Sequence, residues 1–194
     1  LFDRVMYWFR ELVKLSDMVK DFMTMASLLG VEVFKPYPTR AQLFYVNKVL
    51  LLSLKAKNVA EAAVREVQAG KSVVIGLSDT LECVLRDSLH PETGKCGNGD
   101  FSTILLRLLD KTLRCPKMPS LTVFDIDFND LPDPTELQAK VEELRSYSDQ
   151  IRSGIKEEIF HLPMSPIDVI RQLITQEKFT DSKGVIRNVR FEEC

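Results

Sequence analysis

The fold that we predict is based on the sequence Ser72-Val73-Val74-Ile75-Gly76-Leu77. It is short and contains three β-branched apolar residues in a row, a pattern typical of a strand that is buried on both faces. Gly70, before it, is suited to end a helix, and Asp79 or Thr80, after it, can cap a new one. The order helix, strand, turn, helix is that of a doubly wound α/β layer. We therefore predict an α/β fold with a partial parallel sheet.

Long helices are predicted upstream, because apolar residues recur three and four positions apart. Residues 1–29 form one long helix or two short ones, ended by Gly30. Residues 40–56 are apolar on most sides, which suits a helix between two layers, with Thr39 as its N-cap. Asn58 is predicted to cap a separate helix over residues 59–69.

The chain after the predicted strand is also mainly helical. Helices are predicted over residues 81–89, 103–113, 134–160 and 166–176. A proline-rich connector spans residues 115–134, and residues 185–191 alternate in places like a second strand. We divide the chain into a helical segment, residues 1–57, and a partial α/β lobe, residues 58–194, and expect more strands beyond the last residue.

Composition limits the class of protein. The chain has 194 residues, of which 45% are hydrophobic and 28% charged, as in a folded globular protein. Its formal net charge is -2, so any contact with nucleic acid must come from a local patch. The longest apolar run, residues 49–52, is far too short to span a membrane, and no signal peptide is visible. We expect an intracellular protein, cytoplasmic or nuclear, without a membrane partner.

Catalytic and metal-binding motifs are not apparent. Residues 69–72 look like the end of a phosphate-binding loop, but Arg65 stands where its first glycine belongs and the order of elements is reversed. Asp125 and Asp127 could bind a metal on one side of a strand, although an acidic loop explains them equally well. No catalytic residue, metal or cofactor is therefore predicted within this chain. Reduced, structural thiols are expected at Cys83, Cys96, Cys115 and Cys194, which lack zinc spacing.

The turn after the predicted strand is the candidate binding site. Open α/β sheets bind ligands at the carboxyl ends of their strands. There Gly76 allows close backbone approach, and Ser78 and Thr80 offer hydroxyls beside the first amides of a helix. Such a turn suits one phosphate of a nucleic-acid backbone, with Lys71 as a further candidate contact. The alternative is that these residues only cap the helix.

The same region resembles a known family. Residues 70–82 are similar to the G-K-x-V-V-I-G-L-Q-S-T-G-E segment of the strawberry notch helicases, a branch of the superfamily 2 nucleic-acid ATPases. Thr80 and Glu82 match that segment, while Ser78, Asp79 and Leu81 depart from it. Residues 40–44 look like the family's H-Q-R-F-F helix, and residues 162–168 like its L-P-x-S-P-I-D segment.

The resemblance implies a function for a larger protein. The chain would be the start of the second RecA-like lobe of an ATP-dependent helicase or translocase, with the first lobe and nucleic acid, DNA being the expected form, as partners. ATP and Mg would bind outside this chain, which should not hydrolyse ATP alone. The rival hypothesis is a helical protein-protein interaction module whose amphipathic helix, residues 134–160, docks a partner. A self-contained α/β enzyme is disfavoured.

Overall fold

The computed structural model describes residues 1–76, 101–128, 130–158, 160, 166–176, 178–180 and 186–188. Helices dominate this part of the chain. The α-helices are α1 (Phe2–Leu28), α2 (Thr39–Gln68), α3 (Phe101–Leu113), α4 (Thr135–Glu157) and α5 (Pro166–Gln176). The other elements are a short 3-10 helix (Val123–Asp125) and the strands β1 (Lys178–Thr180) and β2 (Ile186–Asn188).

The predicted parallel sheet is wrong. Residues 71–76 form no regular structure, and the side chains of Val73 and Val74 are 37% and 90% exposed. A parallel strand needs neighbouring strands for its backbone hydrogen bonds, and none flanks this segment in the described part of the chain. The two short strands that are described, β1 and β2, pair with each other in antiparallel register, Phe179 opposite Arg187. The fold is therefore helical where the sequence indicated α/β.

Two helix ends follow the sequence closely. Gly30 and Gly70 have φ values of 82° and 81°, a left-handed conformation that glycine adopts without strain. Val31 N–H donates to the Ala26 carbonyl, and Lys71 N–H donates to the Glu66 carbonyl. These are the hydrogen bonds of a Schellman motif, which reverses the chain after a helix. Both glycines thus end helices, as predicted.

The middle of the chain departs from the prediction in its helix boundaries. A single helix, α2, runs through Asn58, which therefore caps nothing. Thr39 is the first residue of α2 and is buried, and its hydroxyl lies 2.9 Å from that of Thr112 in α3. This hydrogen bond between the two hydroxyls joins the first turn of α2 to α3.

The chain forms two compact units. Unit 1 contains Leu1–Phe44 and Ser102–Phe160, and unit 2 contains Tyr45–Phe101 and His161–Cys194. In unit 1, α1 and α4 lie antiparallel. Arg4, near the start of α1, forms an ion pair with Glu158, just after α4, and Tyr147, earlier in α4, donates a hydrogen bond to Glu11, later in α1. Their buried apolar faces supply much of the core: Leu12, Leu15, Val19 and Phe22 from α1, and Leu137, Leu144, Ile151 and Ile155 from α4. The amphipathic face of residues 134–160 is therefore used inside the protein.

Unit 2 is built on the carboxyl-terminal part of α2. Its small residues Ala56, Ala60 and Ala63 form an apolar cluster with Ile170 and Ile174 of α5. Ile75 joins the same cluster, so the segment after α2 contributes one apolar side chain where a strand would have buried several. Burial of α2 is one-sided: Leu50 is buried but Leu51 and Leu54 are exposed. The prediction of a helix enclosed between two layers is wrong.

The connector between α3 and α4 is compact. The backbones of Arg114 and Thr122 form an isolated antiparallel bridge, and the Cys115 thiol is reduced and buried. Thr122 and Asp125 form a capping box, in which the Asp125 carboxylate accepts hydrogen bonds of 2.8 Å from the Thr122 amide and from its hydroxyl. The same hydrogen bonds hold the pKa of Asp125 below its ordinary value. Asp125 thus has a structural role in the connector.

Candidate nucleic-acid interface

The structure describes two of the four residues predicted to contact nucleic acid. Lys71 is exposed, and its Nζ lies 2.6 Å from Oε2 of Glu66, so its charge is already paired. Gly76 is exposed, and a Cβ placed there would meet no atom within 4 Å, so the position does not require glycine. Ser78 and Thr80 lie outside the described residues. The turn remains a prediction without the parallel strand on which it was based.

A cleft in unit 1 is a concave surface whose lining residues are all described. Its volume is about 1000 Å³. One wall is the carboxyl-terminal half of α1, the second is the segment of residues 33–38, and the third is the first turn of α2. The polar and aromatic side chains on these walls are Ser16, Asp17, Lys20, Thr24, Ser27, Phe34, Lys35, Tyr37, Thr39 and Arg40.

Local sequence explains why the cleft forms. Gly30 reverses the chain after α1, so that the following residues lie beside the helix they have just left. Pro36 and Pro38 fix their own φ angles and disfavour helix at the residues before them. The segment therefore stays irregular until α2 begins at Thr39.

An ion pair closes one side of the cleft. The Arg40 Nη2 atom lies 3.0 and 2.7 Å from the two carboxylate oxygens of Asp17. Both side chains are substantially exposed, so the pair adds little to stability, but it fixes the position of the guanidinium beside the cleft. It also neutralises the one carboxylate on the walls.

The remaining charges on the cleft are positive. Lys20 and Lys35 are exposed, and neither forms an ion pair with any carboxylate that the structure describes. The first turn of α2, which opens onto the cleft, contains no acidic residue, and a helix N-terminus itself favours anions. The cleft is therefore an anion-attracting surface on a chain whose net charge is -2.

A signal in the sequence marks this region. Between Glu32 and Glu61 the chain has no Asp or Glu but has five basic residues: Lys35, Arg40, Lys48, Lys55 and Lys57. Charge counted over the whole chain hides this local excess. Lys20 has no comparable signal, because only the fold brings α1 beside the later segment.

Aromatic side chains line the same cleft. Phe34 and Tyr37 are half-buried and lie on the wall that also carries Lys35. Aromatic faces beside cationic groups are the combination with which proteins hold unpaired bases and the adjoining phosphates. The site can bind an anion that carries flat apolar rings.

A second polar cluster lies between α1 and α4. The Tyr147 hydroxyl donates to the Glu11 carboxylate, and Lys14 Nζ lies 4.7 Å from the centroid of the Tyr147 ring. The pKa of Tyr147 is raised, mainly by burial and secondly by the hydrogen bond to Glu11, so its hydroxyl stays protonated at neutral pH. These contacts join the two helices of the core, and we assign the cluster to packing.

Among the residues that the structure describes, no group of three or more potential ligands is placed to hold a metal ion. Within the same residues, no helix has the length and apolar character needed to cross a membrane. Comparison of the chain with protein-family models, with curated proteins and with solved structures finds no match.

Proposed function

We propose that this chain binds single-stranded nucleic acid weakly, through the unit 1 cleft, as part of an ATP-dependent nucleic-acid helicase or translocase. The observation that carries the proposal is that Lys20 and Lys35, which pair with no carboxylate among the described residues, lie beside two aromatic side chains on one concave surface. The resemblance to strawberry notch helicases supports the same class of partner. ATP and Mg belong to other parts of the full protein under this proposal.

The chemistry of the cleft favours a single strand over a duplex. Lys20 and Lys35 supply point charges for two backbone phosphates. Phe34 and Tyr37 offer ring surface to bases, which are available for stacking only where they are unpaired. In a duplex the bases are already stacked on each other, so the aromatic wall would contribute nothing. We therefore expect a labelled single-stranded oligonucleotide to bind more tightly than the same sequence as a duplex.

Replacing Phe34 with alanine tests the stacking contribution. We expect the variant to bind a fluorescein-labelled single-stranded oligonucleotide about tenfold more weakly, because an aromatic contact to one base is worth roughly 1–3 kcal/mol. Fluorescence anisotropy at 50 mM salt measures the change. The control is Phe2→Ala, which removes an exposed ring at the opposite end of α1. Equal affinities for the two variants would contradict stacking at Phe34.

The same titration separates the cleft from the originally predicted turn. Gly76→Asp and Thr80→Asp would repel a phosphate at the turn but leave the cleft intact. We expect both to bind like the unmodified chain. If they abolish binding while Phe34→Ala does not change it, the contact lies at the turn and the assignment to the cleft is wrong.

A further inference from the structure

The exposed side of α2 in unit 2 carries apolar and basic side chains together. Leu51 is 42% exposed and Leu54 is 38% exposed, and their spacing of three residues makes them neighbours on one side of the helix. Lys55 is exposed and lies one turn after Leu51, while Lys48 lies one turn before it. We call these four residues, Lys48, Leu51, Leu54 and Lys55, the α2 face.

In the part of unit 2 that the structure describes, the apolar cluster between α2 and α5 does not include the leucines of this face. The residues of α2 that pack against α5 are alanines and valines, Ala56, Ala60, Ala63 and Val64 among them. Neighbouring apolar side chains that stay exposed and are bordered by charge are a common mark of a protein interaction site. A spacing of three residues between leucines is also that of the contact positions in paired helices.

We propose that the α2 face docks an acidic amphipathic helix of a partner protein. Charge complementarity favours this occupant, because α2 has no acidic residue before Glu61 while Lys55 is exposed on the face and Lys48, whose Nζ lies 5.7 Å from the centroid of the Tyr45 ring, borders it. A leucine stripe on the partner would cover Leu51 and Leu54, and glutamates beside that stripe would approach Lys48 and Lys55.

Other occupants fit the α2 face less well. A second copy of the chain would bring the same lysines together and repel. Nucleic acid would attract the lysines but leave both leucines without an apolar partner. A membrane surface requires a wide apolar helix side, whereas the α2 face has two leucines bordered by two lysines.

A pair of synthetic peptides tests the proposal. The probe is a fluorescent helical peptide of about three heptads with leucine at the contact positions and glutamate beside them, and its counterpart carries lysine in place of glutamate. We expect the full chain to bind the glutamate peptide saturably, more weakly as salt rises, and to bind the lysine peptide at least tenfold more weakly. Equal binding of both peptides, or binding of neither, overturns the proposal.

Two variants assign the binding to the α2 face. Leu51→Glu should weaken binding of the glutamate peptide at least tenfold, whereas the control Met118→Glu, at an exposed apolar residue of the connector, should not. Lys55→Glu should weaken binding of the glutamate peptide and strengthen binding of the lysine peptide. Misfolding cannot produce this reversal. Circular dichroism checks that helix content is kept.

The proposal is independent of the cleft. Leu51→Glu should leave oligonucleotide binding unchanged. If the variant loses oligonucleotide binding, the α2 face is a nucleic-acid surface and the proposal is overturned. Sedimentation experiments test whether a second copy of the chain is the occupant. If the unmodified chain forms a dimer and Leu51→Glu abolishes that dimer, the proposal is also overturned.

Discussion

Alanine in place of Gly154 is expected to lower the free energy of unfolding by about 2 kcal/mol, within the range that overpacking of a core produces. A Cβ at this position of α4 would clash with Cη2 of the Trp8 indole in α1 and would lie 2.8 Å from its Cζ2. Neither atom can move without displacing the ring, which is buried between the two helices. Alanine is the better helix former by roughly 1 kcal/mol, and this gain offsets only part of the clash.

The control for this prediction is one residue away. Ser153 is exposed on the same turn of α4, so Ser153→Ala changes helix propensity without a clash, and we expect it to be neutral or slightly stabilising. Urea denaturation followed by circular dichroism compares the variants. Trp8→Leu should make Gly154→Ala nearly harmless, because it removes the ring that alanine meets. If Gly154→Ala is as stable as Ser153→Ala in the unmodified background, α1 and α4 do not pack as described.

Reversing the charge of both cleft lysines is expected to weaken binding of single-stranded nucleic acid on the order of 50-fold at 50 mM salt. Each lysine that neutralises a phosphate releases about 0.7 of a counterion from a single strand, which is worth roughly a factor of eight at this salt concentration. The variant is Lys20→Glu with Lys35→Glu, measured by oligonucleotide anisotropy. Repulsion by the new carboxylates makes the estimate a lower bound.

A matched double variant separates the cleft from net charge. Lys117 in the connector and Lys156 in the last turn of α4 are also exposed. Changing both to glutamate alters the charge of the chain by the same amount but does not touch the cleft. We expect this variant to lose less than threefold in affinity, since distant charges are screened at this salt. An equal loss in both variants would indicate attraction by overall charge, without a localised site.

The sequence was informative where local chemistry determines the backbone. The caps at Gly30 and Gly70 and the helix near residues 103–113 depend on residues close to one another in the chain. Apolar periodicity also placed the long helix near residues 134–160 to within three residues at its end. Periodicity does not show whether such a helix packs inside the protein or against a partner. In this structure it packs against α1.

The failed strand shows the limit of the same reasoning. Three β-branched residues at 73–75 match a buried strand, but a strand is stable only beside other strands, which its own sequence does not contain. The segment instead follows α2 as an irregular stretch with one anchored side chain, Ile75. The two strands found among the described residues, at 178–180 and 186–188, are close in sequence and pair with each other.

The cleft was only partly predictable. Its basic, acid-free segment from residue 33 onward can be identified by counting charges along the chain. The apposition of Lys20 and Arg40 depends on the reversal after α1 and on the ion pair with Asp17, which are tertiary features. Prediction from the sequence therefore selected a glycine turn, where a motif was visible, and overlooked a surface assembled from separate segments.

The most direct test of the account is the salt dependence of oligonucleotide binding. With two phosphates neutralised by Lys20 and Lys35, the logarithm of the association constant should fall with the logarithm of the salt concentration with a slope of about -1.4, a roughly sevenfold loss between 50 and 200 mM. The Lys20→Glu, Lys35→Glu variant should have a slope near zero. No binding by the unmodified chain at 50 mM salt, or the same slope in the variant, would contradict a nucleic-acid site in the cleft.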